Sequence, residues 1–113
     1  MTITLPLRLV SVLNTREHWA KRAKRAKEQR WIVSATLQAK RRNAAFVSPV
    51  VITITRVAPR QLDTHDNLRA SAKAVVDGIA DWLHVRDNDR HLEWRYAQER
   101  GKPREYAVRI EIT

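Results

Sequence analysis

The chain of 113 residues has no cysteine, two glycines, four prolines and one phenylalanine. Each shortage excludes something. Without Cys there is no disulfide frame, no thiolate zinc centre and no thiol nucleophile, so metal chemistry would fall to carboxylates or histidines. With only Gly78 and Gly101, no glycine-rich loop can cradle phosphates, and neither a P-loop nor a dinucleotide turn is present. HExxH and GxSxG are absent too. No apolar run approaches the ~20 residues of a spanning helix, and no signal-peptide core follows Met1, so a soluble, cytoplasmic protein is expected. Acidic residues are also scarce: 12 Asp and Glu face 22 Lys and Arg, a formal charge of +10. Such an excess suits a polyanionic partner, either nucleic acid or an anionic membrane surface.

What remains is enough for one compact domain, since 43% of the residues are hydrophobic and four are Trp. At this length about two-thirds of the unfolded surface can be buried, so the domain can fold alone and gains from dimerisation. The charges are segregated. Residues 1–62 carry 13 Lys and Arg against Glu17 and Glu28, whereas residues 63–113 carry nine against ten acids. All six Asp (Asp63, Asp66, Asp77, Asp81, Asp87 and Asp89) fall within 27 residues. Short carboxylates at bends and helix ends suit a hard cation such as Mg²⁺. They equally suit N-caps and turns.

The periodicities predict an order β-α-β-α-β-β, an α/β (α+β) fold with one mixed sheet of about four strands and two helices. Residues 2–10 alternate through Ile3, Leu5, Leu7 and Leu9, a half-buried strand that Pro6 places at an edge or bulge. Asn14 or Thr15, with Glu17 behind, can cap a long helix from Arg16 to about Asn43. Its apolar stripe runs Trp19, Ala23, Ala26, Val33 and Leu37, and Trp19 and Trp31 are expected in the core. Residues 50–57 (VVITITRV) form the clearest strand. A second helix is expected from about Asn67 to Leu83, where Gly78 implies a close contact. Two alternating strands follow: Leu92, Trp94 and Tyr96, then Tyr106, Val108, Ile110 and Ile112. They are expected to close as a hairpin.

The chemistry gathers in Asp63-Thr64-His65-Asp66-Asn67, Lys73 and Asp87-Asn88-Asp89. At 100° per residue Asp66, Lys73 and Asp77 share the helix face opposite the apolar one, with Asp81 close by. Phosphodiester hydrolysis uses Mg²⁺ held by carboxylates and a cation for the developing phosphorane charge. Bare spacing fits an ion-paired, solvated helix face as well, and His65 and His91 read as bystanders. The length of the helix, ~25 Å, would separate Asp66 from Asp87 unless the chain turns back after Leu83 or the site lies at a dimer interface.

The wording Leu62-Asp63-Thr64-His65-Asp66-Asn67-Leu68, Lys73 to Asp81 (KAVVDGIAD), Asp87-Asn88-Asp89 and Trp94-Arg95-Tyr96-Ala97-Gln98 resembles the RusA family of Holliday junction resolvases, phage-borne members included. The match spans about residues 62–98. The two leading acids and the lysine are spaced more widely here than in the family's type member. The resemblance implies a homodimeric, Mg²⁺-dependent endonuclease that nicks four-way DNA junctions symmetrically. By it, Asp63, Asp66 and Asp87 are metal ligands and Lys73 is the essential lysine. The basic first helix, with Lys21, Arg22, Lys24 and Arg25, would then hold the DNA arms. The competing reading is a non-catalytic nucleic-acid-binding protein using the basic helix 16–42. A membrane-surface helix is disfavoured by its Ala-rich apolar face.

Overall fold

A computed structural model describes residues 1–11, 18–41, 46–63 and 67–113. Its elements are β1 (Thr2–Leu5), α1 (Trp19–Lys40), β2 (Val50–Ala58), α2 (Asn67–Ser71), α3 (Lys73–Leu83), β3 (Leu92–Arg100) and β4 (Ala107–Ile112). The sheet order is β1-β4-β2-β3, with β2 and β3 parallel and β4 antiparallel to both β1 and β2. This is the expected α+β class with a mixed, four-stranded sheet. Ile3, Leu5, Ile52, Ile54, Val108, Ile110 and Ile112 form one face and meet Val33 and Leu37 of α1 and Val75, Val76, Ile79 and Trp82 of α3. The other face carries Glu93, Arg95, Glu99, Arg109 and Glu111, linked by surface ion pairs.

Strands β3 and β4 do not form the expected hairpin. The nine-residue β2 is the most apolar strand, and a hairpin would leave it at the sheet edge. Instead β3 flanks one side of β2 and β4 the other. The connection passes over the end of β2, where the Gly101 amide donates to the Ala58 carbonyl at 2.9 Å. A Cβ on Gly101 would lie 3.0 Å from the Glu105 carbonyl oxygen, so the passage is tight there; Glu105 Oε1, at 2.8 Å, is a side-chain end that can move.

Strand β1 pairs only through Leu5, not to residue 10. Pro6 cannot donate to a ladder, and side chains take over. Gln29 Nε2 donates to the Arg8 carbonyl and Arg56 Nε to the Leu9 carbonyl. Leu9 stays buried all the same. The second helix is broken at Ala72 into α2 and α3. Ser71 Oγ donates back to the Leu68 carbonyl at 2.7 Å, and the Ala72 amide to Arg69, a tightening that ends regular α geometry.

Helix α1 starts at Trp19, with His18 Nδ1 accepting from the Ala20 amide; the cap candidates Asn14, Thr15 and Glu17 lie outside the described residues. Its buried positions are Gln29, Val33 and Leu37. Trp19 and Trp31 are not in the core: each is 70% exposed. The reasons differ: Trp31 lies about 120° around α1 from the near edge of the buried stripe, and Trp19 is left out by length. At 22 residues α1 is twice as long as α3, and its first half overhangs the helix it packs on. Trp82, 3% exposed, is the core tryptophan and donates Nε1 to the Arg41 carbonyl at the end of α1.

Candidate nucleic-acid interface and acidic site

Parallel pairing of β3 with β2 puts Trp94 beside Ile52 and Gln98 beside Arg56, so Trp94 and Gln98 share the helix-side face. Each holds a loop. The Gln98 amide grips Leu62, accepting from its N–H at 2.7 Å and donating to its carbonyl at 2.8 Å. That fixes the chain entering Asp63, whose carbonyl accepts from the Leu68 amide. Trp94 Nε1 donates to the Asp87 carbonyl at 2.8 Å and so fixes the turn after α3. Buried Arg56 ties Leu9 to Arg60 through their carbonyls, and burial pushes its pKa down.

The chain does turn back after Leu83. His84 adopts the left-handed conformation (φ 58°) and ends α3, and the Val85 amide returns to the Ala80 carbonyl. Asp87 thereby meets Lys73 at the far end of the same helix. Lys73 Nζ donates to Asp87 Oδ2 at 2.6 Å and lies 3.0 Å from Asp77 Oδ1. Across the helix pair, Arg30 of α1 makes a two-pronged contact with Asp81, at 2.6 and 2.8 Å, and stands 4.0 Å from Asp77. The result is a continuous row of alternating charge: Asp87, Lys73, Asp77, Arg30, Asp81.

The electrostatics follow the row. The Lys73 bond holds the Asp87 carboxyl below its ordinary range, and Asp87 first, then Asp77, raises Lys73. Arg30 lowers Asp81 in the same way and is itself raised. Asp89 faces elsewhere: its Oδ1 accepts from the His91 amide at 2.8 Å, a turn-capping role. His91 Nδ1 contacts Ser48 Oγ.

The row borders an open cleft of about 510 Å³ between the overhanging half of α1 and the α2–α3 corner. Arg22, Arg25, Lys27 and Arg30 line it from α1, Lys73 and Asp77 from α3, with Ala23, Ala26, Ala70 and Ala74 among them. The four cations expected to hold DNA are thus divided. Arg22 and Arg25 face the cleft, whereas Lys21 and Lys24 lie outside its lining, exposed on α1. Of the acids expected to bind metal, Asp87 stands at the row's end and exposed Asp63 follows the Gln98 clamp. Asp66 lies outside the described residues. Among the described residues no three His, Asp or Glu gather into a metal-holding set.

The amino-acid order does not mark Arg30 as a site residue, and it shows Trp94 and Gln98 only as part of the strand wording in the resemblance, not as holders of the two loops. Asp77 carries a signal, the i, i+4 spacing to Lys73, whereas Arg30 is one of many cations on its helix.

No family model and no curated protein matches the chain.

The donors are of the kind a hard cation takes, though among the described residues they do not gather into a set around one point other than Lys73. Asp77 and Asp87 converge on a single positively charged point, here the Lys73 ammonium, and exposed carboxylates are the donors Mg²⁺ prefers.

Proposed function

We propose that this protein is a Mg²⁺-dependent endonuclease of the RusA type, acting as a homodimer on four-way DNA junctions. The observation that carries the reading is the meeting of two features at one place. A lysine held between two carboxylates stands at the edge of a cleft walled by α1 cations. A phosphate backbone drawn against Arg22, Arg25 and Lys27 reaches Lys73 without leaving the cleft. Asp87, with Asp63 and Asp66, would hold the metal, which lowers the pKa of a bound water and neutralises phosphate charge.

In this mechanism the chain's own groups do three things. The cleft cations bind and orient the strand. Lys73, kept fully protonated by Asp87 and Asp77, gives a proton-bearing donor to a non-bridging phosphate oxygen as charge develops there. Trp94 and Gln98 keep the two acidic loops in register on the sheet. A four-way junction has two-fold symmetry and the described residues of each chain hold one such row, so paired nicks need two copies.

The second reading, binding without cleavage, has its own support, because Lys73 already neutralises the paired Asp77 and Asp87. Incubation of the protein with an immobile four-way junction separates the two. Paired, symmetric nicks with Mg²⁺ and none with EDTA are expected, with a sedimentation mass near twice 13.2 kDa. Binding with no nick in either condition would leave the binding-only reading.

A further inference from the structure

We propose that Trp19 is a base-stacking platform at the entrance of the cleft, and that the cleft therefore takes unpaired nucleotides rather than intact duplex. The proposal deepens the nucleic-acid reading above and rests on it. Three observations carry it. Trp19 is 70% exposed on the first turn of α1, its ring 5.6 Å from that of His18, itself exposed. An indole left in water beside a basic surface offers an open π-face that any base can use. Helical geometry then puts Trp19 on the cleft side: Ala23, Ala26 and Arg30, which line the cleft, follow it at i+4, i+7 and i+11. One turn, about 6 Å, separates it from Ala23.

The alanines add the third part. Ala23 and Ala26 of α1 and Ala70 and Ala74 of α2 and α3 give the cleft lining small apolar positions among its charged side chains. A strand with a base on Trp19 would continue over them while its phosphates meet the neighbouring cations. Bases inside a duplex have both faces covered by neighbours. Only a single strand, a branch point or a frayed end presents the face that Trp19 needs.

The same helix supplies a control. Trp31 is equally exposed but sits about 120° around the helix from Trp19, away from the cleft lining. Neither tryptophan is needed for the core, so both can be replaced without loss of fold.

The test is binding to an oligothymidylate of about 20 nucleotides, longer than the ~4–16 that one small domain covers. It is run in EDTA so that no cleavage occurs. Trp19→Ala is expected to weaken binding by about fivefold or more, as loss of one stacked base implies, while the slope of log K against log salt stays unchanged. Trp19→Phe should recover most of the loss, and Trp31→Ala should bind within about twofold of the unmodified protein. Trp19→Ala binding within twofold, or no binding by the unmodified protein, overturns the proposal. So does a fall in sedimentation mass on Trp19→Ala, because Trp19 would then belong to a subunit interface. Junction cleavage in Mg²⁺ is read separately. Stacking without nicking would remove only the nuclease reading, and nicking without stacking only this one.

Discussion

Asp87 and Asp89 are two positions apart in one turn, and their side chains have different partners. The Asp87 carboxylate accepts from Lys73, while its carbonyl is held by Trp94; the Asp89 carboxylate accepts from the His91 amide. An extended backbone sends side chains two apart to one side, but here the turn around Asn88 separates them. A group that partners the site lysine and a group that caps a turn should respond differently to loss of charge. Asp87→Asn is expected to abolish Mg²⁺-dependent junction nicking while junction binding stays, because the cleft cations are untouched. Asp89→Asn should lower nicking less than about tenfold, since an amide oxygen can still accept from His91. A Mg²⁺ titration of nicking by both variants checks this; the reverse ranking would move the role to Asp89.

At the scale of elements, the α1–α3 crossing is set by one glycine and one ion pair. A Cβ on Gly78 would lie 2.6 Å from the Arg30 carbonyl oxygen and 2.9 Å from Val33 Cβ. Neither neighbour is a flexible side-chain end, so the helices must separate. Gly78→Ala gains about 1 kcal/mol of helix propensity, and overpacking of about 1–3 kcal/mol opposes it. A net loss of about 1 kcal/mol is expected, read as a lower urea midpoint with unchanged slope. A raised midpoint would show that α1 yields. The Arg30–Asp81 pair beside it is half exposed and is worth no more than about 1 kcal/mol after solvent screening. Because Arg30 holds the Asp81 pKa down, that contribution is full above the ordinary carboxylate value of ~3.9 and fades as pH falls through the lower folded value. Asp81→Asn should therefore be less stable at neutral pH and match the parent in acid. Melting curves at both ends decide it, and a gap that persists in acid would assign the loss to packing.

Much of this level is legible in the amino-acid order. The alternation in VVITITRV and in Val108-Arg109-Ile110 marks strands, and Gly78 announces the close crossing. Bringing Lys73 and Asp87 together requires the turn that His84 makes, with no glycine there to signal it. The hairpin expectation fails because strand partnering depends on which strand most needs the centre, and no local pattern states that. The tryptophans mislead for different reasons. Trp19, on the amphipathic stripe, reads as core unless the length of the partner helix is known, and α3 is half as long as α1, whereas Trp31 lies about 120° off that stripe.

Over the whole molecule, charge and architecture are matched. The basic half of the chain supplies α1 and the near-neutral second half supplies α2 and α3, and the fold lays Lys73 and Asp77 across the cleft from the α1 cations. No helix among the described residues is long and apolar enough to cross a membrane. Two pairs of cations on α1 then make a comparison in which total charge is held constant. Arg22 and Arg25 line the cleft; Lys21 and Lys24 do not. If binding depended on net charge alone, removing either pair would weaken it equally. If the strand runs through the cleft, the inner pair releases counterions on binding and the outer pair does not. Arg22→Gln with Arg25→Gln is expected to flatten the slope of log K against log salt by about 0.7 for each phosphate of an unpaired strand no longer neutralised, or about 1.4 for two. Lys21→Gln with Lys24→Gln should change it by less than half as much. Junction affinities measured across a salt series for the two double variants give both slopes. Equal slopes would mean that the basic half attracts DNA as a diffuse field, with no path through the cleft to Lys73.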